Sequence, residues 1–158
     1  MKRIFFALVF FSLLITGCTN GTDEMDNEVE ENQKDFPPSI AGLINVNGKE
    51  YGMKSGNYSW ERKKGLETEV VQTDAASPYQ IGKSFNVIRL KPNTNIIIEI
   101  EENPKLSVFL WNENGRDKEI ILKNNQLTAP TNKGEYIYEV LAKWSNGEVS
   151  YTFVIEIN

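Results

Sequence analysis

The sequence predicts an all-β domain, arranged as a sandwich or a barrel, and three observations lead to this. Short runs rich in β-branched and aromatic residues alternate with polar residues, as in strands whose two faces meet different surroundings. Asn-Gly pairs, which favour two-residue hairpin turns, separate several of these runs. No window of twelve or more residues has the spacing of an amphipathic helix.

The runs predict roughly eight short strands, which follow one another with turn signals between them. The Asn-Gly turns are Asn47-Gly48, Asn114-Gly115 and Asn146-Gly147. The clearest alternation lies in the last two runs, where aromatic and aliphatic residues recur at every second position. This estimate of roughly eight strands is drawn from ten strand-like runs, which in chain order are 40–46, 51–53, 58–62, 67–73, 85–90, 96–101, 107–111, 118–122, 134–144 and 149–157.

The penultimate run carries a pattern that sharpens the fold class. The spacing Asn132-x-Gly134-x-Tyr136-x-Tyr138 resembles the penultimate strand of immunoglobulin-like domains, where a tyrosine corner precedes the buried position by two residues. The resemblance implies an immunoglobulin-like antiparallel β-sandwich over residues 38–158. It places Tyr138 where antibody domains carry cysteine, and Trp111 as the core tryptophan. Because the cysteine pair is missing, a different sandwich topology stays open.

The N-terminus has the pattern of a signal peptide. Lys2 and Arg3 give a positive start, and an apolar run from position 4 to position 15 follows. That run is shorter than the roughly 20 residues that span a bilayer as a helix. The residues Ile15-Thr16-Gly17-Cys18 resemble the lipobox of bacterial lipoproteins, which implies cleavage between Gly17 and Cys18 and lipid attachment to Cys18, the only cysteine.

The resemblance implies a localisation at the outer face of the bacterial cell membrane, with residues 1–17 as the signal peptide. Residues 18–37 are predicted to be the lipidated cysteine and a disordered acidic linker, because residues 19–37 hold seven acids against one base and few large apolar groups. The stretch Gly56-x-Tyr58-x-Trp60, followed by Asp74 and Pro78, is also similar to small uncharacterised lipoproteins of Bacillus-like bacteria. That similarity implies no activity.

The composition excludes several kinds of chemistry. The chain has no histidine, which removes histidine-dependent triads and histidine metal sites. Residues 38–158 hold 15 acids and 14 bases, so nothing in their balance favours nucleic acid. No cofactor motif and no metal site is predicted, and the loop from Asn112 to Asp117 is interpreted as a hairpin turn rather than a calcium loop. Glu99 and Glu101 are predicted to share one face of a strand, as a glycosidase pair would, although a strand that faces water gives the same pattern by default.

One cluster is a candidate ligand surface. Tyr58, Trp60 and Arg62 alternate along one run and lead into Lys63 and Lys64. Such aromatic and basic residues can stack on a sugar or a peptide, or contact an anionic wall polymer. The alternative, which the alternation favours, is that Tyr58 and Trp60 are core aromatics and the basic run is a solvated turn.

The function expected from these features is that of a membrane-anchored extracytoplasmic lipoprotein that binds an envelope protein or wall polymer and is not an enzyme. Binding through loops or an open sheet edge suits such a domain. The alternative is an accessory or inhibitory lipoprotein that acts on a cell-envelope enzyme. A remote alternative is a carboxylate-dependent hydrolase. The sequence identifies no ligand.

Overall fold

The computed structural model describes residues 35–158. All of the described residues belong to one compact unit. The predicted signal peptide, the lipidation site at Cys18 and most of the predicted linker lie outside the described residues.

The described chain forms eleven strands and one short helix. Their alternation of buried and exposed residues follows the period of two that the sequence shows. The elements are β1 Gly42–Val46, β2 Lys49–Gly52, β3 Lys54–Lys64, β4 Glu67–Thr73, α1 Pro78–Ser84, β5 Val87–Leu90, β6 Asn95–Ile100, β7 Lys105–Asn112, β8 Gly115–Ile120, β9 Gln126–Thr128, β10 Gly134–Trp144 and β11 Gly147–Ile157.

The strands form two sheets that pack as a sandwich, which confirms the immunoglobulin-like β-sandwich. One sheet has the order β2-β1-β6-β9, and the other has the order β4-β3-β11-β10-β7-β8. Strand β5 joins the second sheet by pairing in parallel with the last residues of β11, whereas the other pairs are antiparallel. The hairpin β1–β2 forms one edge of the smaller sheet, and the hairpin β3–β4 forms one edge of the larger sheet.

The core lies between the sheets and is largest around β10 and β11. These strands pair over their full length, from Gly134 opposite Ile157 to Trp144 opposite Gly147. Every second residue of each strand enters the core, which is why aromatic and β-branched residues recur there at a period of two. The buried core side chains of this pair are Tyr138, Val140, Ala142, Val149, Tyr151, Phe153, Ile155 and Ile157.

The tyrosine corner predicted from the sequence is present. The hydroxyl of Tyr136 donates to the carbonyl oxygen of Asn132 over 2.9 Å, which ties the loop to the start of β10. Two residues later, Tyr138 is buried and its ring stacks on Phe153 with the centroids 5.0 Å apart. Tyr138 and Phe153 are register partners on β10 and β11, so this aromatic pair strengthens the contact between two neighbouring strands of one sheet.

The prediction that Trp111 is the core tryptophan is wrong. Trp111 lies opposite Ile137, on the outer face of its sheet, while Val108 of the same strand enters the core. The core tryptophan is Trp60 of β3, which is 2% exposed and packs against Trp144 with the ring centroids 5.0 Å apart. Alternation alone groups residues by face, but it does not say which face is covered by the second sheet.

The three predicted Asn-Gly hairpins form, although their glycines have different structural roles. Asn47 and Gly48 take φ of 54° and 83°, as a two-residue turn with two positive φ values requires. In the β10–β11 hairpin the turn residues are Ser145 and Asn146, and Gly147 is already the first residue of β11. There the glycine is needed because the ring of Trp60 lies against it.

The sequence prediction missed two elements, α1 and β9. Helix α1 has seven residues and begins after Ser77, whose hydroxyl accepts from the backbone N–H of Gln80 while the Gln80 side chain accepts from the N–H of Ser77. This capping box, with Pro78 in the first turn, was the signal available in the sequence. Strand β9 has three residues, too few for a periodic pattern to register.

Residues 35–37, which precede the sandwich, belong to the same compact unit. Phe36 packs against the core, and the guanidinium carbon of Arg62 lies 4.4 Å from the centre of the Phe36 ring.

Within residues 35–158, the structure contains no helix that is long enough and apolar enough to cross a bilayer.

Candidate functional site

The site begins with a glutamate on the outer face of the larger sheet. Along β10, Tyr138 and Val140 enter the sandwich, so Glu139 between them faces away from it. Helix α1 packs against this side, contacting β3, β7, β10 and β11. Because the central strand is covered on both sides, Glu139 is only 4% exposed.

Four hydrogen bonds surround the Glu139 carboxylate. Its Oε2 accepts from Trp111 Nε1 at 2.7 Å and from Arg116 Nε at 2.8 Å. Its Oε1 accepts from Arg116 Nη2 at 3.0 Å and from Ser150 Oγ at 2.9 Å. The donors come from β7, β8 and β11, so one carboxylate links four strands. We call these four residues, Trp111, Arg116, Glu139 and Ser150, the Glu139 network.

Glu139 and Arg116 of the network stay ionised in the folded chain. Burial raises the pKa of Glu139, but the hydrogen bonds from Arg116, Trp111 and Ser150 outweigh burial and hold the pKa below its ordinary value. The hydrogen bond to Glu139 raises the pKa of Arg116 further. At neutral pH the pair is therefore a carboxylate and a guanidinium joined by a bidentate contact, the strong geometry for these two groups.

A pocket of about 480 Å³ lies over the network. One wall is the connection between β4 and α1, which is held in place by a hydrogen bond from the backbone N–H of Ala75 to the Asn57 side chain. The side chain of Arg116 is 45% exposed and stacks over the ring of Phe109 at 4.1 Å. The pocket is lined by Asn57, Ala75, Ala76, Ser77, Pro78, Trp111, Arg116, Glu139 and Ser150.

This arrangement suits binding better than proton transfer. Each carboxylate oxygen of Glu139 already accepts two hydrogen bonds, so it offers little to a substrate proton. Two of the five N–H groups of Arg116 donate to Glu139. An aromatic ring, a fixed guanidinium and short polar side chains around a concave space are what a small polar ligand needs for orientation.

The predicted ligand surface at Tyr58, Trp60 and Arg62 is not a single exposed face. Trp60 is a core side chain, which contradicts a stacking role on the surface and agrees with the core interpretation. Tyr58 packs against the core beside it. Arg62 forms an ion pair with Glu69 at 2.9 Å. Tyr58 and the edge of Trp60 do line a pocket of about 260 Å³, together with residues 37–40.

The candidate carboxylate pair is not on one strand face. Glu99 lies on β6, whereas Glu101 lies in the turn that follows, where its backbone carbonyl accepts from Trp144 Nε1 at 3.4 Å. Within residues 35–158, no three acidic, cysteine or histidine side chains come together as a metal site. The loop from Asn112 to Asp117 is the β7–β8 hairpin, in which the N–H of Asn114 donates to the Asn112 side chain.

Sequence reasoning missed the Glu139 network, although a signal was present. Ile137 and Leu141 flank Glu139 at the alternate positions of β10, so the face that carries the glutamate is also apolar. An acid in such a row is either exposed by chance or buried with a partner. Its partners, Trp111 and Arg116, lie 28 and 23 residues away, and only the pairing of β7, β8 and β10 brings them to it.

The chain was compared with models of protein families, with curated proteins and with solved structures. None of the three comparisons finds a match.

Proposed function

We propose that this protein is a non-catalytic binding module, held by a lipid on Cys18 at the outer face of a bacterial cell membrane. The observation that carries the binding role is the pocket over the Glu139 network. Its volume of about 480 Å³ falls within the range of ligand pockets, and its polar groups are fixed by the sheet. The anchor is supported by the lipobox-like residues Ile15-Thr16-Gly17-Cys18 and the signal-peptide pattern before them.

The chemistry of the pocket favours a polar segment of an envelope protein or wall polymer. Trp111 supplies a ring on which a sugar or a flat peptide group can stack. Arg116 supplies positive charge at the mouth, because nearly half of its side chain is exposed. Asn57 and Ser77 on the rim provide hydrogen bonds of both polarities.

The test of the binding role is crosslinking in intact cells. A photoreactive residue replaces Ala76, which is exposed on the pocket wall, and a matched control replaces Thr128, which is exposed on the smaller sheet. We expect a discrete adduct from position 76 and none from position 128. Digestion of the wall with a muramidase then separates a polymer adduct, which changes in size, from a protein adduct, which does not. Equal adducts from both positions would contradict a ligand site at this pocket.

The test of the anchor is metabolic labelling with a palmitate analogue. A diacylglyceryl group places two chains in the bilayer, which suffices for stable attachment, whereas one chain holds only marginally. We expect the wild-type chain to be labelled and to fractionate with membranes. Cys18→Ser should remove the label. An unlabelled wild-type chain that occurs only in the medium would refute the anchor.

A further inference from the structure

The hairpin of β3 and β4 projects beyond the sheet to which it belongs. Strand β3 pairs with β11 only as far as Trp60, which lies opposite Gly147. It pairs with β4 as far as Lys64, which lies opposite Glu67. The base of the projection is fixed by a hydrogen bond from the N–H of Glu61 to the carbonyl of Asn146. Residues 62–69 therefore form a two-stranded ribbon that extends about 10 Å past the β10–β11 turn.

The tip of this ribbon combines an apolar residue with cations. Leu66, in the turn, is completely exposed, with a relative accessibility of 104%. Lys63 and Lys64 precede it and are exposed as well. Within residues 62–69 there are three bases and two acids, and Arg62 already neutralises Glu69. A single exposed leucine is ordinary. A leucine at the end of a projecting cationic ribbon has the composition that binds an anionic lipid surface.

The described chain begins beside this ribbon. Phe36 packs on the core with its ring under the Arg62 guanidinium, so the segment that leads from Cys18 reaches the domain at the base of the hairpin. Seventeen residues lie between Cys18 and Phe36, and this length of chain spans at most about 65 Å. Residues 19–34 hold six acids and one base, so anionic lipid repels them, whereas the ribbon has the opposite charge.

We propose that the β3–β4 hairpin tip, residues 62–69, is a membrane-contact element that inserts Leu66 between the headgroups of an anionic bilayer while Lys63 and Lys64 bind the lipid phosphates. The inference rests on the proposed anchor, which brings the hairpin to the bilayer. The contact sets the orientation of the sandwich, because it adds a second fixed point beside the entry of the chain. The pocket over the Glu139 network is on the outer face of the sheet, away from the tip of the ribbon.

The test separates this contact from the anchor by using a chain without lipid. Residues 18–158 with Cys18→Ser contain every described element and the whole core. Sedimentation with vesicles of phosphatidylcholine alone, or with an anionic phosphatidylglycerol fraction, measures the partition coefficient. We expect binding to the anionic vesicles, weakened by added salt. Leu66→Ser should weaken it about ten-fold, and K63S together with K64S about 25-fold.

A matched control changes a second strongly exposed aliphatic residue, Ile121, which lies at the opposite edge of the larger sheet. Ile121 follows β8, the edge strand farthest from β4, and is 81% exposed. Ile121→Ser should leave vesicle binding unchanged. Because Leu66 is fully exposed, Leu66→Ser should also leave the thermal unfolding midpoint unchanged, so that lost binding is not lost folding.

Three results would overturn the proposal. The first is a wild-type chain that stays in the supernatant with both kinds of vesicle. The second is equal loss of binding in Leu66→Ser and Ile121→Ser. The third is a wild-type dimer in sedimentation velocity that Leu66→Ser converts to a monomer, which would make a second copy the partner of the tip. The anchor is judged separately, because an unlabelled Cys18 with intact vesicle binding refutes only the anchor.

Discussion

Replacing Gly147 by alanine should lower the free energy of unfolding by about 3 kcal/mol. An added methyl group would overlap the indole ring of Trp60 and would come within 2.7 Å of the carbonyl oxygen of Ser59. The ring cannot move aside, because Trp60 is 2% exposed and Trp144 packs against it. The strand pairing between β3 and β11, which places Gly147 opposite Trp60, would have to open instead.

Urea unfolding followed by circular dichroism measures this loss, and a second variant assigns its cause. In a Trp60→Leu background the overlap with the ring is removed and only the close approach to the Ser59 carbonyl oxygen remains, so Gly147→Ala should then cost clearly less than in the wild-type chain. Gly52→Ala on β2 is the matched control, because nothing lies within 4 Å of the position that its methyl group would occupy. A Gly147→Ala penalty that is as large in the Trp60→Leu background as in the wild-type chain would show that the overlap with the ring is not its cause.

Replacing Glu139 by alanine should cost about 3 kcal/mol of stability. The change leaves four donor groups, on Trp111, Arg116 and Ser150, without their acceptor. The loss stays at the lower end of the range for a broken buried ion pair, because the side chain of Arg116 is 45% exposed and water can solvate its charge. Glu139→Gln should cost less, because it keeps the shape of the side chain and one acceptor.

The effect of Glu139 should depend on pH in a defined direction. The pKa of Glu139 is lower in the folded chain than its ordinary value, so the carboxylate stabilises the fold above the unfolded pKa of about 4.3. This stability is lost as the pH falls through the folded pKa. The difference between wild type and Glu139→Gln, measured by urea unfolding, should therefore be largest near neutral pH and should shrink below about pH 4.

Glu156 provides the control for the Glu139 result. It also pairs with an arginine, Arg89, at 2.9 Å, but the arginine side chain is 74% exposed and that of Glu156 is 36% exposed. Glu156→Gln should change stability by less than about 0.5 kcal/mol, because water screens an exposed pair. Equal losses in Glu139→Gln and Glu156→Gln would show that burial of the Glu139 carboxylate contributes nothing.

The features that the sequence predicted correctly are local in the chain. The hairpin turn at Asn47-Gly48 depends on backbone conformations that two adjacent residues adopt. The tyrosine corner joins Tyr136 to a carbonyl only four residues away. Strand β10 was predicted with its observed bounds, Gly134–Trp144, because its alternation is long and regular. Information of this kind survives in a single sequence, since it needs no partner from elsewhere in the chain.

The sequence by itself therefore determined the β class, the hairpins and the tyrosine corner, and it predicted the anchor at Cys18. The tertiary structure alone decided that Trp60 enters the core and Trp111 faces outward, and that Glu139 is buried. Alternation shows which residues share a face of a strand, but not which face another layer covers. In β10 both faces are covered, and the partners of Glu139 come from three other strands. Whether these side chains reach Glu139 depends on the register between neighbouring strands, which the sequence of a single strand does not encode.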